Sequence, residues 1–150
     1  MPTFRTPEDD ENQRQIAGVL EARWNCVLHR RDDWDAVNYD AIRNGGDPVA
    51  LVEVKRRDND AYDYDGRTFL GVHRHNVMMA HQRRSGLPAV WAVGFNDQIR
   101  WILSTTVEAA DYERDWRGRE PREGALHDKE PMILVPVADM IKIPWSGVPH

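Results

Sequence analysis

Apolar residues Ile16, Ala17, Leu20 and Trp24 recur every three to four positions, the spacing of one helical stripe. Upstream, Thr6-Pro7-Glu8-Asp9 offers a Thr cap, a proline for the first turn and an acid three residues on. These signals predict a helix running to about Arg23. Shorter apolar runs follow: Asn25 to His29, Val37 to Arg43, and Val49 to Lys55, the most apolar and so the most central in a sheet. Asn44-Gly45-Gly46-Asp47 between the last two is a hairpin turn. Arg56 to Arg67 is polar and predicted to be a loop; Leu70 to Arg84 is predicted helical, stopped by Gly86. Two more strands are predicted at Leu87–Phe95 and Gln98–Leu103. A charged loop is predicted at Glu113–Glu130, and an edge strand at Met132–Pro136, where proline is tolerated. The order α-β-β-β-α-β-β indicates an α/β sandwich around a mixed sheet.

Composition narrows the class. A length of 150 residues predicts one domain, residues 1–150, with a core over about 6–104 and a C-terminal extension over 105–150. Hydrophobic content of 41% is ordinary for a globular chain, and no apolar run has membrane-spanning length. The N-terminus lacks the apolar stretch of a secretory signal, and the single cysteine, Cys26, excludes an internal disulfide. The expectation is a soluble, cytoplasmic protein. A net charge of −5 argues against indiscriminate nucleic-acid binding but leaves room for a local basic groove. Arginine pairs occur at Arg30-Arg31, Arg56-Arg57 and Arg83-Arg84.

The chemistry concentrates at Glu53-Val54-Lys55, the end of the most apolar strand. Alternation along a strand puts Glu53 and Lys55 on one face, and Asp40 lies across the hairpin. Two carboxylates and an ammonium can then converge on a hard divalent cation and a water beside a phosphate. Only three of the twenty basic residues are lysines, and Lys55 is one of them. The alternatives are a same-face ion pair at a strand end and an ordinary charge near a turn. His73, His75 and His81 do not form a zinc set, because residues 73 and 75 fall on different sides of a helix. Trp24, Trp91 and Trp101 are expected in the core; Trp34, Trp116 and Trp145 lie in predicted loops, where they could stack on bases but are expected to pack against the sheet.

An Asp on the second strand and Glu-x-Lys on the third, within this element order, resembles the PD-(D/E)XK nuclease superfamily. That superfamily includes restriction endonucleases, Holliday-junction resolvases and many phage nucleases. The likeness spans residues 6 to 104, and is nearest to small phage proteins through Glu53-Val54-Lys55, His73-Arg74-His75 and Gly86-Leu87-Pro88. It implies a three-layer α/β/α, restriction-endonuclease-like fold with a central mixed sheet of five strands. It implies a Mg²⁺-dependent DNA endonuclease, Mn²⁺ able to substitute, with Asp40, Glu53 and the Val54 carbonyl as metal ligands. Lys55 would then position the attacking water, and Arg74 or His75 would grip a neighbouring phosphate. Arg56 and Arg57 follow the motif strand where a scissile backbone would pass. Two residues depart from the family pattern. Tyr39 stands where proline is usual, and Gln13 occupies the inner face of the first helix where many members carry glutamate. A glutamine can orient water but adds no charge for a second ion. Many members dimerise to cut two strands, so a homodimer is compatible, with no interface marked in the sequence. The rival readings are a catalytically silent member that binds DNA or a phage or host protein, and an unrelated α/β interaction protein.

Overall fold

A computed structural model of the chain describes residues 7–31, 39–118 and 129–144. The elements are α1 (Pro7–Trp24), β1 (Val27–Arg30), β2 (Tyr39–Ile42), β3 (Pro48–Arg56), β4 (Arg67–Gly71) and α2 (Val72–Ser85). They continue with β5 (Ala89–Gly94), β6 (Ile99–Leu103), α3 (Ser104–Ala110), β7 (Arg114–Gly118), β8 (Lys129–Pro136) and β9 (Ile141–Ile143). Helix α1 begins at Pro7 as expected; Thr6 lies outside the described residues. Its stripe is sealed, with Ile16, Ala17 and Leu20 fully buried. Trp24 is half-buried and meets Trp101 edge to face at 5.6 Å. The helix stops at Asn25, whose φ of 53° is left-handed. Gly86, at φ 75°, ends α2 in the same way, its N–H bonding the Gln82 carbonyl.

The main sheet runs β1-β2-β3-β5-β6-β9. It has six strands rather than the expected five, because Ile141–Ile143 returns to pair with β6. Strand β3 is interior, antiparallel to β2 and parallel to β5. The β2–β3 turn uses Asn44 and Gly45, both at positive φ (55° and 67°), as an Asn-Gly hairpin requires.

A second sheet, β4-β8-β7, was not anticipated. The polar stretch after Arg56 gives way to β4, and the charged stretch after Glu113 contains β7; few apolar residues mark either one. Between them β8 is a middle strand, which corrects its expected place at an edge. Its prolines explain how. Pro136 pairs only across to Arg67 of β4, beyond the end of β7, and Pro131 pairs only across to Trp116 of β7, beyond the end of β4. Each proline therefore has a strand on one side only, and no ladder bond is lost to it.

Two apolar layers sandwich the main sheet. Val52, Val54, Val90 and Ala92 meet α1 on one face. Leu51, Trp91 and Val93 meet Met78 of α2, Leu70 of β4 and Ile133 and Val135 of β8 on the other. The expected three layers are present, with the second sheet sharing the α2 layer. Residues of the C-terminal extension thus complete the core. Among the described residues no helix is long and apolar enough to cross a membrane.

Candidate active site

Strand alternation sends Leu51, Glu53 and Lys55 to the α2 face. Asp40 pairs with Leu51 across the antiparallel ladder, so it shares that face and stands one diagonal step from Glu53. Glu53, Lys55 and Arg57 line a cavity of about 200 Å³, walled by Phe69–Gly71 of β4, His73 and Arg74 of α2, Trp91 of β5, and Glu130 and Met132 of β8.

Glu53 is only 3% exposed and lies beside Trp91 in the parallel ladder. Burial pushes its carboxyl up to about 7, with the nearby Arg74 and then Lys55 pulling it back down. Arg74 Nη1 donates to Glu53 Oε1, forming an ion pair whose arginine side is 45% exposed. The other oxygen, Oε2, is buried with no hydrogen-bond partner. A buried carboxylate oxygen of this kind is costly unless a ligand completes it. Asp40 is half-buried and accepts a 2.8 Å bond from Arg31 Nη1.

Backbone direction places the third expected ligand. The N–H groups of Leu51 and Arg57 bond the carbonyls of Pro88 and Gly94, on the β5 side of β3. By alternation the Val54 carbonyl points the other way, toward β2, while its side chain sits in the α1 layer. Two carboxylates and one carbonyl suit a hard cation that keeps water and substrate oxygens as its remaining ligands. Among the described residues no three His, Cys, Asp or Glu side chains cluster as a metal set.

Other expected residues are distributed differently. Arg57 lines the cavity and donates from Nη2 to the Phe69 carbonyl at 2.8 Å; burial lowers its pKa. Arg56 turns to the β5–β6 connection instead, bonding Gly94 O at 3.2 Å and Asn96 Oδ1 at 2.5 Å. Its visible task is to tie the end of the motif strand. His75 is a correction. It is 1% exposed, with Nε2 2.6 Å from Glu108 Oε2 of α3, so it joins two helices and offers nothing to a phosphate. One residue earlier, Arg74 points into the cavity, because a helix turns about 100° per residue. Gln13 is half-buried on α1, the helix packed on the opposite face of β3 from Glu53 and Lys55. The cavity lining does not include it. Asp9's side chain, Trp34 and Trp145 lie outside the described residues. Trp116, expected to be buried, is 65% exposed on β7.

The lining residues not foreseen include Phe69, His73, Glu130 and Met132. His73 could have been found from its place beside Arg74. The others come from strands whose pairing the apolar pattern did not reveal.

A family model described as "Phage putative PDDEXK endonuclease" matches residues 1–143. No curated protein matches the chain. Among solved structures the chain is similar to Hjc, a Holliday junction resolvase from the archaeal hyperthermophile Archaeoglobus fulgidus. The TM-score is 0.57 at 13% sequence identity, covering 91% of this chain and 92% of that one. At that identity the likeness carries the fold.

Proposed function

The chain belongs to the phage PDDEXK endonuclease family, and from that premise we propose that it is a metal-dependent endonuclease hydrolysing phosphodiester bonds in DNA. The observation that carries this reading is Glu53: a buried carboxylate with an unpartnered oxygen, lining a cavity it shares with Lys55. Asp40, Glu53 and the Val54 carbonyl would hold Mg²⁺ or Mn²⁺. Such an ion, when bound, polarises the phosphate and makes a bound water more acidic. Lys55, exposed at the cavity mouth, holds the attacking water and donates to a phosphate oxygen. Arg74 neutralises Glu53 in the free protein and turns its exposed guanidinium to a phosphate when DNA arrives. Arg57 adds positive potential along the same wall, which Trp91 and β4 complete.

One observation favours a second reading, a silent nuclease fold that binds DNA without cutting it. Both carboxylates already have arginine partners, Arg31 on Asp40 and Arg74 on Glu53, so each charge is balanced without an ion. Cleavage assays on linear duplex, branched and single-stranded DNA separate the two. Cutting that requires Mg²⁺ or Mn²⁺, stops with chelator and is lost in Lys55→Ala and Asp40→Asn is the expected result. DNA bound but left intact by folded wild type would establish the silent reading. Lys55→Ala cutting at the wild-type rate would sink the proposed mechanism.

A further inference from the structure

Beside the cavity lies a row of planar groups for which hydrolysis has no need. Phe69 lines the cavity. Tyr64, in the turn before β4, places its ring 5.4 Å from that of Phe69 and is 52% exposed. The Arg117 guanidinium of β7 lies 5.4 Å over the same Phe69 ring, its side chain 44% exposed. The pairing register puts Phe69 and Arg117 on the sheet face that also carries cavity-lining residues. Gly71 pairs with Met132, Met132 with Asp115, and Glu130 with Arg117, so these residues and Phe69 share one face of the second sheet.

Charge distinguishes the two parts of this surface. The cavity side carries Lys55, Arg57 and Arg74 against the carboxylates of Glu53 and Glu130, an excess of cations that suits a DNA backbone. Along the row, Arg117 is balanced by Asp115, 3.4 Å from its Nε. A phosphate gains little there, whereas a neutral π-face gains from both rings and the guanidinium plane. In a paired duplex each base face is covered by its neighbours, so such a row is open only to an unpaired base.

We propose that Tyr64, Phe69 and Arg117 form a stacking shelf for an unpaired base next to the phosphate held in the cavity, making the preferred substrate DNA that is single-stranded or frayed at the cut. This rests on the nuclease reading for the position of the phosphate, but it is tested by binding rather than by cutting.

Affinities for labelled single-stranded and duplex oligonucleotides, measured by anisotropy with chelator present, provide the test. Tyr64→Leu keeps apolar bulk at an exposed position and removes the ring. Single-strand binding should weaken roughly 5- to 150-fold, the range of one stacked base, while duplex binding stays within about twofold. The salt dependence should keep its slope, since no phosphate contact is lost. On unaltered protein, 2-aminopurine in a single strand should be quenched on binding, which guards against a variant that misfolds. Equal single-strand affinity for Tyr64→Leu and wild type, or equal losses on both DNA forms, would overturn the shelf. So would 2-aminopurine that stays bright when bound at every position tried. Lys55-dependent cutting of duplex with no Tyr64 effect leaves the nuclease standing without the shelf. Tyr64-dependent single-strand binding without cutting leaves the shelf standing without the nuclease.

Discussion

The two faces of β3 are built from alternate residues of one strand and obey different rules. Toward α1 it presents Val52 and Val54, 0% and 1% exposed, against Ile16, Ala17 and Leu20. Toward α2 it presents Leu51, then Glu53, then Lys55, passing within five residues from apolar core through a buried charge to solvent. The first face contributes hydrophobic stabilisation and closes the fold. The second gives up part of that gain by burying a carboxylate with one oxygen left unpartnered. Strain of this kind, tolerated on one side because the other side is well packed, is what a binding cavity requires. Substitutions on the two faces should therefore separate activity from stability.

The largest effect on activity is expected from Lys55→Ala. The residue is exposed at the end of its strand, so the thermal midpoint should stay close to wild type. Cleavage should fall by about 10²–10⁴-fold, the usual contribution of a positioned proton-handling group. A midpoint that drops sharply while single-turnover cleavage of the folded fraction is retained would make Lys55 a structural residue and blur the contrast between the faces.

The opposite outcome is expected on the α1 face. Leu20→Ala empties a fully buried position and should cost about 2–5 kcal/mol in urea unfolding. The folded fraction should cut DNA at the wild-type rate, because nothing on that face lines the cavity. A slower rate per folded molecule would mean that α1, and Gln13 with it, reaches the site in a way the packing does not display.

How much of this was legible in the chain follows the same division. The α1 stripe, the Asn-Gly hairpin, the central apolar strand and the Gly86 stop are local patterns, and each appears where its residues predicted. The alternation that puts Glu53 and Lys55 together is local too. What escaped was non-local: β4 and β7 are polar strands that exist because β8 pairs with both, and a period-2 apolar pattern cannot mark strands with so few apolar residues. The sequence presents His75 and Arg74 alike, both as polar residues of one helix. Only the packing of α2 on α3 assigns one to the interior and the other to the cavity.

The smallest effects sharpen the comparison within the active face itself, between its two carboxylates. Folded Glu53 keeps its proton up to about pH 7, whereas the ordinary value is 4.5. Between those values the folded state binds more protons than the unfolded chain, so stability falls as pH rises. The contribution is complete below about pH 4.5 and gone above about pH 7. In chelator, urea midpoints for wild type should decline across that window, and Glu53→Gln should remove most of the slope, a difference of no more than a few kcal/mol. Asp40 is the contrast. It is half-buried, and its pair with Arg31 leaves 24% of each side chain exposed, so water and salt screen it. Arg31→Ala should therefore cost only about 0–1 kcal/mol in urea unfolding. If Arg31→Ala proved as costly as breaking a buried pair, the charge burden would be shared between both carboxylates. Glu53 would then no longer stand apart from Asp40 as the carboxylate whose burial the fold sustains for the sake of the cavity.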